Sequence, residues 1–138
     1  MLDSRTVCGG LALMLLAATA RAGTGDSLDE VAHHALQARD GVRVWFCLDT
    51  FEYPRHGGRI GGAQAWLGGG LTIKPILSLE SEVKPVESVR TNRRAIGRGR
   101  EVFGCGPLFV SEVGPVIGAH AGPGMVGIGA LAQSLLLG

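Results

Sequence analysis

Apolar and polar positions change their period several times along the chain, and each change predicts an element. Residues 7 to 22, reading VCGGLALMLLAATARA, are apolar almost all round, the pattern of a helix buried on every side. Gly23 and Gly25 break that run, and Ser27-Leu28-Asp29-Glu30 then has the form of a capping box with acidic residues in the first turn. Behind it Leu28, Val31, Ala32, Ala35 and Leu36 recur at helical spacing and form one apolar stripe. His33 and His34 lie at the edge of the stripe, where they share no ligand geometry and read as solvated. The segment Val42 to Leu48 is rich in β-formers and apolar on both faces except at Arg43, which suits an interior strand of a largely parallel sheet. Residues 61 to 70 fit a short helix closed by Gly68-Gly69-Gly70. Leu71 to Leu79 and Val83 to Val89 read as extended, with Pro75 and Pro85 favouring sheet edges. A basic helical pattern covers 90 to 103, the stretch 104 to 111 is irregular, and Val113 to Ile117 is a further short strand candidate. A helix–helix–strand succession of this kind points to an α/β fold with a mixed sheet and flanking helices.

Composition narrows the function classes. A length of 138 residues fits one domain, and 46% apolar residues allow a sizeable core. The formal net charge of +1 gives no general case for nucleic acid or an anionic membrane. Cys8, Cys47 and Cys105 are odd in number and far apart, with no C-x-x-C pair, so neither a zinc site nor a disulfide framework is indicated. Reduced thiols in a cytoplasmic protein follow. Residues 9 to 22 imitate a secretory signal, ending in Ala20-Arg21-Ala22, but Asp3 offsets Arg5 in the segment before it. The apolar run is also shorter than the roughly 20 residues that a membrane span requires.

Three stretches offer candidate chemistry. Gly122-Pro123-Gly124-Met125-Val126-Gly127 spells the dinucleotide fingerprint G-x-G-x-x-G. That loop must open a helix and be followed by an acidic residue about 20 positions on, whereas no acidic residue follows Gly127 here. Pro123 also removes an N–H that a phosphate cradle would use, so no nucleotide cofactor is expected. The segment Asp49 to Gly62 follows the strand directly, the position where α/β proteins collect their sites, and its Gly57-Gly58-Arg59 offers a guanidinium fork for a carboxylate or phosphate. An ion pair between Arg59 and Asp49 or Glu52, shaping the loop, explains the same residues equally well. Arg90, Arg93, Arg94, Arg98 and Arg100 carry no interleaved aromatics, so base stacking is unsupported; a solvated helix face is favoured over a docking surface for an acidic partner. His120, just before Gly122, fits either a satisfied core histidine or a donor at a pocket floor.

Taken together, DSRTVCGGLALMLLAA, DTFEYPRHGGRIGGAQAWLGGGLTIKPILSL, VKPVESVRT and GPVIGAHAGPGMVGI resemble, in order, the DegV family of bacterial fatty-acid-binding proteins, which includes the binding subunits of fatty acid kinase. The resemblance implies that residues 1–138 form a truncated copy of the family's C-terminal domain. Residues 1–103 are its continuous match, 104–111 a deletion junction, and 112–129 the terminal histidine loop. It implies that the apolar stretch near the N-terminus is an internal helix rather than a signal. It further implies a ligand site of His120, Arg59, Gly58, Gly118 and Gly122, with His120 on the carboxylate of a long-chain fatty acid. No metal or cofactor is implied, nor catalysis by this chain. The implied protein is a cytoplasmic monomer without a membrane span, and its partner is a kinase that phosphorylates the bound acid. Family members have a further N-terminal domain whose Thr and Ser complete the carboxylate site, so the same residues also fit a structural remnant that holds no ligand.

Overall fold

A computed structural model describes residues 1–56, 73–79, 83–104, 106–107 and 109–137. The elements run α1 (Cys8–Gly23), α2 (Leu28–Gly41), β1 (Arg43–Cys47), α3 (Glu52–His56), β2 (Lys74–Leu79), β3 (Val83–Val89), α4 (Asn92–Phe103), α5 (Pro115–Ala121), β4 (Val126–Ala130) and α6 (Gln133–Leu137). Four strands form one sheet in the order β3-β2-β1-β4, so the protein is mixed α/β and β1 is interior as its two-faced apolar pattern requires, but the sheet is not the largely parallel one expected, since β2 and β3 pair antiparallel. The chain divides into two compact units, Met1–Val44 with Gly129–Gly138, and Trp45–Ile128.

The first unit is helical. Ser27 accepts the backbone N–H of Glu30, and the Glu30 carboxylate accepts the Ser27 N–H at 2.8 Å, so the capping box starts α2 as expected. Helices α1 and α2 pack through small side chains, with Ala17, Ala35 and Ala38 buried beside Leu13 and Met14. Gly9 and Gly129 approach so closely that a Cβ on Gly129 would meet the Gly9 carbonyl carbon at 3.1 Å. Two expectations change here. Helix α1 buries one face only, leaving Leu11, Leu15 and Leu16 exposed, because its described neighbours cover a single stripe. His34 is half-buried rather than solvated, its Nε2 2.8 Å from the Leu135 carbonyl on α6. Leu28, at the first position of α2, lies beyond the packed stripe and is exposed.

The second unit is a sheet with two apolar faces. Successive residues of a strand point to opposite sides, and the adjacent pairs Cys47/Leu48 and Ile76/Leu77 divide accordingly. Leu48, Leu77 and Ala121 of α5 cluster together, ringed by Phe46, Phe51, Val83, Ile117 and Met125. Cys47, Ile76, Val89 and Ala95 of α4 form a second cluster against Trp45. Burial on both faces explains why β2 carries four buried residues in succession where a half-exposed strand would alternate.

Strands β2 and β3 pair antiparallel, with Ile76 opposite Glu87 and Leu77 opposite Pro85, so Val86 is an extra residue on β3. Pro85 thus occupies an edge strand at a bulge, the place a residue without an N–H tolerates. Pro75 departs from expectation: β2 is interior. It is the second residue of its strand, so the missing donor interrupts the ladder only at its start. Helix α4 begins at the Thr91 cap and stops at Gly104, whose φ of +67° provides a left-handed end.

The strand expected over 113 to 117 is instead the lead-in to α5 and its first residues, Pro115 to Ile117. Gly114 caps it and Pro115 occupies its first turn, where the fixed φ suits a helix and the absent N–H would have had no helical partner. The helix expected over 61 to 70 lies outside the described residues.

Candidate functional site

Helix α5, the turn after it and the start of β4 carry the glycine-rich motif. The order is helix, loop, strand, the reverse of a dinucleotide-binding turn, which agrees with the exclusion of a nucleotide. His120 occupies the last turn of α5 with its side chain exposed. Three residues before it and one after it on the same helix, Ile117 and Ala121 enter the apolar cluster with Leu48 and Leu77. The helix closes with the Gly122 N–H donating to the Gly118 carbonyl at 2.8 Å. Gly118, Gly122 and His120 are therefore brought together by one short helix and its cap. Gly58 and Arg59 lie outside the described residues.

The turn itself demands glycine twice. Gly122 has φ +82° and ψ 175°, a region closed to side chains, and a Cβ there would meet Tyr53 Cδ2 at 2.6 Å. Gly124 has φ +74°, and a Cβ there would lie 2.1 Å from Asp49 Oδ2. Tyr53 of α3 and Asp49 after β1 thus occupy the space that the two glycines leave open.

Asp49 belongs to a polar group assembled from three further parts of the chain. The Lys74 ammonium, at the start of β2, pairs with the Asp49 carboxylate and also donates to Asn92 Oδ1 at 3.3 Å. The Asn92 amide nitrogen, in the first turn of α4, donates to Asp49 at 3.3 Å and to the Gly124 carbonyl at 2.8 Å. Hydrogen bonding from Lys74 is the main reason the Asp49 carboxyl titrates below the ordinary carboxylate range. Asp49 was legible as a strand-end residue, whereas Lys74 and Asn92 were not singled out. Lys74 is visible in sequence only as the residue before Pro75, and Asn92 only as the first helical position after a Thr cap. Among the five arginines, Arg98 donates to Glu87 at 2.9 Å and also pairs with Glu101, while Arg90, Arg93, Arg94 and Arg100 are exposed.

These features define a mixed α/β protein whose glycine-rich turn places a histidine beside an apolar cluster at the sheet. Comparison with known proteins gives the family. The model of the DegV family, described as an uncharacterised protein family, matches residues 1–105, and the chain belongs to that family. A DegV domain-containing protein of Streptomyces coelicolor is 34% identical over 163 residues, covering 93% of this chain and 58% of its own length. That span exceeds the 138 residues of this chain, so the relative carries residues within it that this chain lacks.

Among solved structures, a DegV family protein from Thermus thermophilus, described for its fatty acid binding, superposes with a TM-score of 0.80 at 27% identity, covering 96% of this chain and 60% of that one. DegV of Bacillus subtilis, described as a fatty acid binding protein, gives 0.72 at 26% identity, covering 93% and 58%. The chain thus spans somewhat more than half the length of these relatives. No helix among the described residues is long and apolar enough to cross a membrane.

Proposed function

We propose that this chain binds a long-chain fatty acid, with its tail against the apolar cluster of Leu48, Leu77 and Ala121 and its carboxylate at His120. The observation that carries the reading is the juxtaposition on α5 of an exposed imidazole with Ile117 and Ala121, which enter the apolar cluster beside it. An amphiphile needs that pairing. The relatives described as fatty acid binding supply its chemical class.

Magnitudes divide the labour. Burying a sixteen-carbon tail at ~0.8 kcal/mol per methylene is worth roughly 11 kcal/mol before ordering costs. One charge-assisted hydrogen bond from the histidine adds ~1.5–3 kcal/mol. The tail sets affinity and the head group sets position. In this reading Gly118 and Gly122 give the ligand close access to the backbone, and Gly58 and Arg59 contribute to binding the acid or its partner. The chain is a bacterial, cytoplasmic, monomeric carrier that holds the acid for a kinase acting on the carboxylate, and it supplies no catalytic step itself. In this reading the shortening of the family fold lies at 104–111, which the end of the family match at residue 105 supports.

Native mass spectrometry of the purified chain beside His120→Ala tests the reading. A retained fatty acid in the wild type, lost or weakened in the variant, is the expected result. A ligand-free mass for a folded wild type incubated with palmitate would overturn it and leave a structural remnant as the conclusion.

A further inference from the structure

We infer that Asp49, Lys74 and Asn92 form a positioning clamp that fixes the turn after His120 and thereby sets the head-group selectivity of the site. The inference rests on the fatty acid reading given above. Three observations carry it. Asn92 is the only one of the three that touches the turn's backbone with a full hydrogen bond, from its amide to the Gly124 carbonyl at 2.8 Å. Asp49 fills the position of the absent Gly124 side chain, so the turn is held from the carbonyl side and from the Cα side together. Lys74 joins these two residues by donating to both, so that neither can swing away without breaking a bond to the third.

Their partial exposure argues that the clamp serves geometry more than stability. The Lys74 side chain is 28% exposed and that of Asp49 40% exposed, and pairs so hydrated contribute little to folding. Four chain segments nevertheless meet around Gly124, with Asn92 bonding its carbonyl: the end of β1, the start of β2, the first turn of α4 and the turn before β4. His120 is four residues before Gly124, joined to it through the fixed dihedrals of Gly122. Releasing Gly124 therefore frees the cap that orients the last turn of α5. None of the three residues need touch the ligand; they act through the turn.

Asn92→Asp tests this with almost no change of volume. An acidic residue suits the first turn of α4, so the helix is preserved. The donor to the Gly124 carbonyl is lost, however, and a second carboxylate is placed beside Asp49. Amide hydrogen exchange on the ligand-free protein is expected to accelerate about tenfold at the amides of residues 122 to 125 (Gly122, Gly124 and Met125), and not in α1, as for the loss of one hydrogen bond. Binding of palmitate is then compared with binding of hexadecanol, which shares the tail and lacks the carboxylate. The wild type is expected to prefer palmitate, and Asn92→Asp to lose about tenfold of that preference with hexadecanol affinity unchanged.

Asn92→Gln, which keeps the donor on a longer arm, is expected to recover part of both effects. Unchanged exchange at residues 122 to 125 overturns the clamp whatever the ligand result. So does an unchanged palmitate-to-hexadecanol ratio in a wild type that binds both. Accelerated exchange in a chain whose wild type binds neither compound overturns the fatty acid reading, and with it the selectivity role, leaving the clamp as a device of the turn alone.

Discussion

Gly124 shows how a single position joins conformation and contact. Its φ of +74° is strained for any side chain, and the space a Cβ would take is already held by a carboxylate tied to two partners. Gly124→Ala is expected to cost about 1–3 kcal/mol, read as a lowered thermal midpoint. Gly97 is the contrast. It lies inside α4 with no atom of the described residues within 4 Å of an added Cβ and no positive φ, so Gly97→Ala is expected to stabilise by about 0.5–1 kcal/mol in urea unfolding.

Asp49 adds a pH dependence. Its carboxyl is held below its unfolded value of about 3.9, so its contribution is fully present above that pH and is lost as the pH falls through the lower folded value. The Gly124 amide resonance is expected to titrate below about pH 3.9 in the wild type and to lose that step in Asp49→Asn. The two glycines were legible as a motif, but their demand came from Tyr53 and Asp49, distant in sequence and therefore invisible to spacing.

Elements whose signals are local were read well, and those decided by neighbours were not. The box at Ser27 and Glu30 lies wholly within four residues, and α2 begins where it says. Ser27→Ala is expected to remove the cap and cost about 1 kcal/mol of thermal stability. Strand β3 shows clean alternation between half-buried and exposed positions and was placed to the residue. Residues 113 to 117 failed because three β-branched residues outweighed the pairing of Gly114 with Pro115, which is a helix start. Pro75 failed because an edge preference is statistical, whereas the sheet order depends on partners that no local window contains. Helix α1 was placed within a residue at each end, yet its pattern overstated its burial. Hydrophobicity records what a face can bury and says nothing of which neighbour is present.

Among the described residues of the Trp45–Ile128 unit the sheet separates two apolar clusters, and they should answer differently to mutation. Leu77→Ala and Ile76→Ala remove comparable buried side chains from opposite faces, and each is expected to cost about 2–5 kcal/mol of stability. Only Leu77→Ala is expected also to weaken palmitate, measured as a smaller ligand-induced rise in the thermal midpoint. Equal losses in both variants would place the tail elsewhere. The α/β class was readable from the succession of periods, and the family from four blocks in order. The fold's partition of neighbouring residues into separate clusters needed coordinates, because adjacent letters such as Cys47 and Leu48 carry no mark of which face each serves.

The order helix, turn, strand around His120 has an electrical consequence. A dinucleotide loop aims the amide end of a helix at its anion, whereas the end of α5 nearest this turn presents carbonyls, with His120 in its last turn. An acid brought there approaches the negative pole of the backbone, so the attraction must come from a side chain. Glutamine at position 120 would keep a hydrogen-bond donor but, unlike an imidazole, can never carry a charge to oppose that pole. His120→Gln should therefore shift the balance of binding from the acid toward the uncharged alcohol while sparing the shape of the turn.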